Sequence, residues 1–299
     1  MSRHAHIDRP YIGILFMLGF CVLAPLGDAL AKVLGGRLDL GMLVLTRFAA
    51  QAAILLPIAL LSGATLMLRG RVLALVSIRT LLHIAGISTM FTSLRYLPLA
   101  DALAIAFVMP FVMLLLGKFV LGEEVGPHRL WASVVGFAGT LLVIQPNFAE
   151  VGAPALLPVG VAVIFALFML VTRQIAKEVD PVALQAVSGL QASAILLPVL
   201  VFLPDLPGSG LASFDLTTGW LLLALGSVGT AAHLLMTWSL RFAPASTLAP
   251  MQYLEIPFGT VIGWLIFRDL PNGLAALGIL VTIGAGLYII LRERRLARS

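Results

Sequence analysis

The sequence predicts an all-α membrane protein of ten transmembrane helices in two inverted five-helix repeats. Three observations carry that expectation. First, 60% of the 299 residues are apolar, only 11% are charged, and the mean hydropathy is +1.06. A soluble domain is about 45–50% apolar and about 25% charged, so water could not solvate this chain as one globule. Disorder needs the opposite composition. Second, the apolar residues gather into runs of the length that crosses a bilayer, about 20 residues each. Third, short segments of the first half recur in order in the second. Cys21 is the single cysteine, which excludes a disulfide scaffold.

Taken in order, the runs cover 11–33, 40–61, 75–95, 101–121 and 130–146, then 155–175, 182–203, 217–240, 245–267 and 274–291. Backbone groups in lipid must be bonded internally, so each run is read as a helix. The first run follows Arg3 and Arg9 and ends on Ala29-Leu30-Ala31, as a cleavable signal peptide would. It is longer than a signal's apolar region and has a counterpart in the second half, so it is read as a span. The connections are too short to hold a soluble domain. The organisation expected is a cytoplasmic N-terminus (1–10), a first repeat (11–146), a second repeat (155–291) and a basic tail (292–299).

Ten spans return the chain to the side on which it began. Of the 19 Lys and Arg residues, fourteen then fall in loops and ends on the side of the termini, with Arg79 counted among them. Only Arg37, Arg95 and Arg268 fall on the other side, while Lys32 and Arg47 lie within or at the end of spans. Positive charge stays on the cytoplasmic side of a membrane. Both termini are therefore expected in the cytoplasm and the protein in a bacterial inner membrane.

Ser93-Leu94-Arg95-Tyr96-Leu97-Pro98 is echoed by Ser239-Leu240-Arg241-Phe242-Ala243-Pro244, and Pro110-Phe111 by Pro257-Phe258. Earlier in each half, Gln51-Ala52-Ala53 is echoed by Gln191-Ala192-Ser193, and Ala31-Lys32 by Ala176-Lys177. Five spans per half is an odd number, so the second half enters the membrane from the opposite side. Inverted repeats are a recurring plan of secondary transporters, with the substrate held near the midplane between them.

In order and spacing these segments resemble the drug/metabolite transporter superfamily and, within it, the EamA family. The resemblance runs through Asp28-Ala29-Leu30-Ala31-Lys32, Arg47-Phe48, Ser93 to Pro98 with Ala100-Asp101-Ala102, and Glu123-Glu124. Gly136, Gly139, Glu255-Ile256-Pro257-Phe258, Trp264 and Asp269 continue it, so that it covers about 11–291. The second half has Arg268-Asp269 where a copy of the Glu-Glu pair would stand. The resemblance implies a permease for small organic metabolites or drug-like compounds. A riboflavin-type vitamin importer is one alternative within that class.

Charged groups inside a span cost about 2.5–3.5 kcal/mol each on insertion scales, and persist where they face a cavity or a partner. Glu255, near the middle of the ninth run, is the leading candidate for proton coupling or for contact with a cationic substrate group. A neutral Glu bonded to a carbonyl is the structural alternative. Asp28 and Arg47 lie at similar depth, so an ion pair between adjacent helices is feasible as an outer gate. Lys32 is one turn from Asp28. His83 and His233 each read as a lone intramembrane histidine, either titrating near neutrality or serving as a satisfied donor between helices. Tyr253 and Gln252, beside Glu255, are the favoured cavity residues, and Phe107, Phe165, Phe168 and Trp238 are aromatic candidates. Trp238 and Trp264 also suit interface anchors. Pro250 and Pro257 bracket Glu255 and call for a bend there.

No Gly-x-x-x-x-Gly-Lys-Ser/Thr loop occurs, so uphill transport by this chain would draw on an ion gradient rather than ATP. Gly27-Asp28 lacks the second aspartate motif of a membrane protease, and no spacing suits a metal. An intramembrane enzyme and a channel are the rival classes. The expected partners are a small solute, the bilayer and a proton, with no cofactor, metal or nucleic acid; monomer and homodimer both remain open.

Overall fold

The computed structural model describes residues 9–106, 108–120, 122, 125–144, 152–203, 208, 210, 213–268 and 273–296. Its helices are α1 (Pro10–Gly35), α2 (Leu40–Leu61), α3 (Gly70–Ser93), α4 (Leu99–Ala106), α5 (Met109–Val120), α6 (Pro127–Ile144), α7 (Leu157–Ile175), α8 (Pro181–Phe202), α9 (Leu216–Phe242), α10 (Glu255–Phe267) and α11 (Gly273–Leu296). A helical turn, Ala245–Leu248, and a 3₁₀ segment, Ala249–Leu254, precede α10. There is no strand among the described residues. Among the described residues, six helices are long and apolar enough to cross a membrane: α1, α2, α3, α7, α8 and α9. Large apolar side chains such as Leu61, Phe119, Trp131 and Leu280 lie on the outside of the bundle. In water that surface would be a liability; in lipid it has no cost.

The helix ends follow from local chemistry. Pro10 and Pro181 stand at the first position of α1 and α8, where a missing N–H costs nothing. Asp180 caps α8 by accepting from Val182 N and Ala183 N, and Asp215 caps α9 by accepting from Thr218 N. Pro25, Pro57 and Pro198 are carried inside continuous helices. Pro110 and Pro257 instead fall in the first turn of helices that restart after a break. Proline lacks the N–H that would bond to the preceding turn, which weakens the helix at these two points, whereas Pro25, Pro57 and Pro198 are accommodated without a break. The expected bend before Glu255 is the 3₁₀ segment itself.

Contacts define two faces of the bundle. On the face of the N-terminus, Arg9 N donates to Phe242 O at 2.7 Å, and Arg71 pairs with Glu178 at 3.2 Å. On the opposite face, Gly41 N donates to Gly208 O at 2.8 Å and Arg95 to Leu38 O at 3.0 Å. Thus α1 leaves the N-terminal face, whereas α7 returns to it. The most extensive packing joins α1 to α9, α3 to α7, α2 to α8, and α6 to α11. Small residues permit the closest approaches. A Cβ on Gly189 would press on the backbone of Ala52 at 2.9 Å, and one on Gly226 would overlap the Ala50 methyl.

The third helix starts earlier than the sequence suggests, at Gly70 rather than residue 75. Arg79 is therefore more than two turns inside it and fully buried. Its assignment to a loop on the side of the termini is corrected by this placement.

Candidate functional site

A cavity opens among α1, α2, α3, α7 and α9 and the two interrupted segments. Its polar groups are Asp28, Arg47, His233 and Glu255, and Phe20, Phe91 and Phe165 give it aromatic walls. Both chain breaks border it: Ala106 and Met109 flank the first, and Glu255 is the first residue after the second. Irregular backbone at membrane depth is tolerated where it lines a cavity or is buried in protein.

Glu255 is 6% exposed, and its Oε1 is buried with no hydrogen-bond partner among the described residues. A buried carboxyl oxygen of this kind can take a proton or meet a cationic group. Asp28 is half-buried on the wall of the same cavity. The two carboxyls together can hold a positively charged group, while Arg47 can meet a carboxylate or carbonyl.

Arg47 does not pair with Asp28, and the ion pair expected from their depths is corrected. The guanidinium donates instead to Gln51 Oε1 at 3.0 Å and to Gly229 O at 2.6 Å. Gly229 makes this approach feasible, because a Cβ there would overlap the guanidinium. Lys32 also turns away from Asp28. It donates to Leu97 O at 2.5 Å and lies 5.6 Å from the Phe267 ring centroid, at the opposite face.

The two residues favoured from the sequence beside Glu255 are not on the cavity wall. Tyr253 is wholly buried, donates to Ser133 O at 3.0 Å and packs on Gly136 of α6. Gln252 is likewise buried and donates to Met169 Sδ at 2.9 Å, with its Oε1 unpartnered among the described residues. The reason is the 3₁₀ segment, which turns these side chains to other directions than a continuous α-helix would. Trp238 packs on Phe16 and Phe242, with ring centroids 5.4 and 6.2 Å away, outside the cavity. Phe107 lies outside the described residues. Phe165 is on the wall, and Phe168 is buried behind it.

The histidines are not lone. His83 and His233 meet at 3.4 Å, Nε2 to Nε2, with ring centroids 4.3 Å apart. They belong to a buried polar layer that closes the cavity toward the N-terminal face. In it Gln51 donates to Gln185 O at 2.7 Å, and Gln185 donates to His233 O and Thr237 Oγ1 at 2.8 Å. Arg79 donates to Thr172 Oγ1 at 2.9 Å and to Ser188 Oγ at 2.7 Å, and stands 4.6 Å from the Phe168 centroid. Sequence reasoning missed Arg79, Gln185 and Ser188. The available signal was the spacing of Arg79, Thr80 and His83, which puts three polar groups on one face of an otherwise apolar run. Among the described residues, no group of three or more His, Cys, Asp or Glu is placed to hold a metal.

The model of the EamA-like transporter family matches the chain twice, over residues 11–145 and 153–292. The chain belongs to the EamA-like transporter family. It is 26% identical over 283 residues to an S-adenosylmethionine uptake transporter of Rickettsia prowazekii (strain Madrid E), covering 95% of this chain and 94% of that one. It is 30% identical over 227 residues to a riboflavin transporter of Rhizobium johnstonii, covering 74% of this chain and 71% of that one. A solved crystal structure, 20% identical, shares the fold with a TM-score of 0.71 over 95% of this chain and 97% of the other. The EamA chain is thus a multi-pass membrane transporter, and the family points away from enzymatic activity.

Proposed function

We propose that this EamA protein is a secondary transporter of a small organic solute that pairs a flat ring with a cationic group. The observation that carries the reading is the cavity, where Asp28 and Glu255 face aromatic walls beside the Arg47 guanidinium. An S-adenosylmethionine-like solute has the matching groups: a ring to stack, positive charges for the carboxyls and a carboxylate for the guanidinium. The relative named for S-adenosylmethionine uptake, alike over nearly the whole chain, supports this choice. Riboflavin is the second reading, favoured by the 30% identical relative and by the three phenylalanines.

The transport cycle is alternating access between two inverted halves, 11–146 and 155–291, each of five spans. The opposite directions of α1 and α7 support it, as do the four main helix pairings. Exchanging the first five spans with the second five leaves the α2–α8 and α6–α11 pairings unchanged and converts α1–α9 into α7–α3. Glu255 carries the coupling proton, which leaves or returns as the cationic group of the solute departs or arrives.

The test is uptake into proteoliposomes of labelled S-adenosylmethionine and labelled riboflavin, with and without an imposed pH gradient. Saturable uptake of the first, competed by its analogues and lost in Glu255→Gln, is the expected outcome. Uptake of riboflavin alone selects the second reading. Flux of neither compound, or wild-type flux in Glu255→Gln, overturns the respective assignment.

A further inference from the structure

We propose that His83 and His233 form a proton-sensing latch that holds the transporter closed on its N-terminal face. The inference rests on the transporter reading above and adds to it the group that senses pH at the gate.

Gln185 ties α8 to α9 within the second half, and the other polar links between helices of the buried layer join the first half of the chain to the second. Arg47 reaches Gly229, Gln51 reaches Gln185, Arg79 reaches Thr172 and Ser188, and Thr80 Oγ1 donates to Gln191 Oε1 at 2.9 Å. His83 to His233 is the link between α3 and α9. On α3 the layer occupies 79–83 and the cavity 87–91; on α7 the layer has Thr172 and the cavity 161 and 165. The layer thus lies on one side of the cavity on both helices. Opening toward the N-terminal face requires its links to part.

The pair is built to respond to protons. An Nε2-to-Nε2 bond between neutral imidazoles needs one ring as donor and the other as acceptor. The Nδ1 atoms of both rings are buried with no hydrogen-bond partner among the described residues. Around the rings stand Phe20 from α1, Phe48 from α2, and Phe165 and Phe168 from α7. The charged groups acting on the rings are Arg47 from α2 and Arg79 from α3. The carboxyls of Asp28 and Glu255 line the cavity that His233 borders, on the far side of the layer. One added proton sets a third positive charge among two guanidiniums whose described partners are all neutral. A second proton removes the acceptor nitrogen. Both changes push the halves apart at the layer, and neither acts on the opposite face.

Hydrogen exchange of the purified full chain in lipid nanodiscs, without any solute, tests this. Exchange is compared at about pH 8 and about pH 5 after scaling for the chemical rate, and the expected change is about tenfold faster exchange at the lower pH in 73–83 and 233–242. Segments 87–93 and 216–225 should stay as they were. The double variant His83→Gln, His233→Gln keeps a donor and an acceptor but no titrating ring, and should lose the response. Glu255→Gln, with both rings intact, should keep it. An unresponsive wild type, a responsive double variant or an unresponsive Glu255→Gln would overturn the latch. If the double variant does not fold, the other two decide. Because no solute is present, failure here leaves the flux assignment standing, and failure of flux leaves the latch standing.

Discussion

At the scale of single residues, the membrane interior makes each uncompensated charge informative. Arg47 and Arg79 are 1% and 0% exposed, yet their described hydrogen-bond partners are carbonyl, amide and hydroxyl oxygens rather than carboxylates. Such groups hold a guanidinium by several charge-assisted hydrogen bonds at once. Gly229 is the weak point of that arrangement. A methyl group at 229 would displace the guanidinium, and losing its bond to Gly229 O costs about 1.5–3 kcal/mol. Gly229→Ala is therefore expected to lower the unfolding temperature of the detergent-solubilised protein. Gly263, whose added Cβ would meet nothing within 4 Å, should tolerate the same change. Equal unfolding temperatures for the two variants would remove Arg47 from this role.

The elements show why some residues could be read from sequence and others could not. Glu255, Asp28 and Arg47 stood out because a charge in an apolar run is rare. Tyr253 and Gln252 were misplaced because periodicity assumes one helical pitch. Residues 249–254 tighten to three residues per turn and re-aim both side chains. An apolar run beginning at residue 75 places Arg79 near a loop, whereas α3 begins at Gly70 and carries it inside the bundle. Outside the spans, capping carries a pH signature. The Thr218 hydroxyl and then the Thr218 N–H hold the Asp215 carboxyl below its ordinary value of 3.8, and Arg37 adds to this. With the folded value below the unfolded one, the cap stabilises α9 above the ordinary value and is lost as pH falls through the folded value. Asp215→Asn should thus flatten the fall in stability below about pH 4, as followed by thermal unfolding across an acid series. An unchanged acid limb would show that the cap has no such part.

On the scale of the whole molecule, the packing pairs and the two breaks give the transporter its symmetry and its centre. The break in 106–109 and the break before Glu255 meet at one cavity although nearly 150 positions separate them in the chain. Reporter fusions at residues 1 and 299 should report the same side of the membrane, and a fusion in the 36–39 loop the other side. Head and tail on different sides would rule out the inverted arrangement. Six long helices were legible in the sequence because hydropathy in lipid is a local property, whereas the interruptions within the runs 101–121 and 245–267 leave no mark on hydropathy.

The sequence alone determined the membrane class, the repeated plan, the family resemblance and the rarity of its buried charges. Only the tertiary structure decided which of those charges face one another. It brought His83 to His233 across 150 positions, gave Arg47 to Gly229 instead of Asp28, and turned Tyr253 away from the cavity. The physical reason is that solvation and hydrogen bonding within a helix depend on neighbours in the chain, whereas contacts between helices depend on rotation about each axis. That rotation is fixed by packing of small residues and by chain breaks, and no local pattern encodes it.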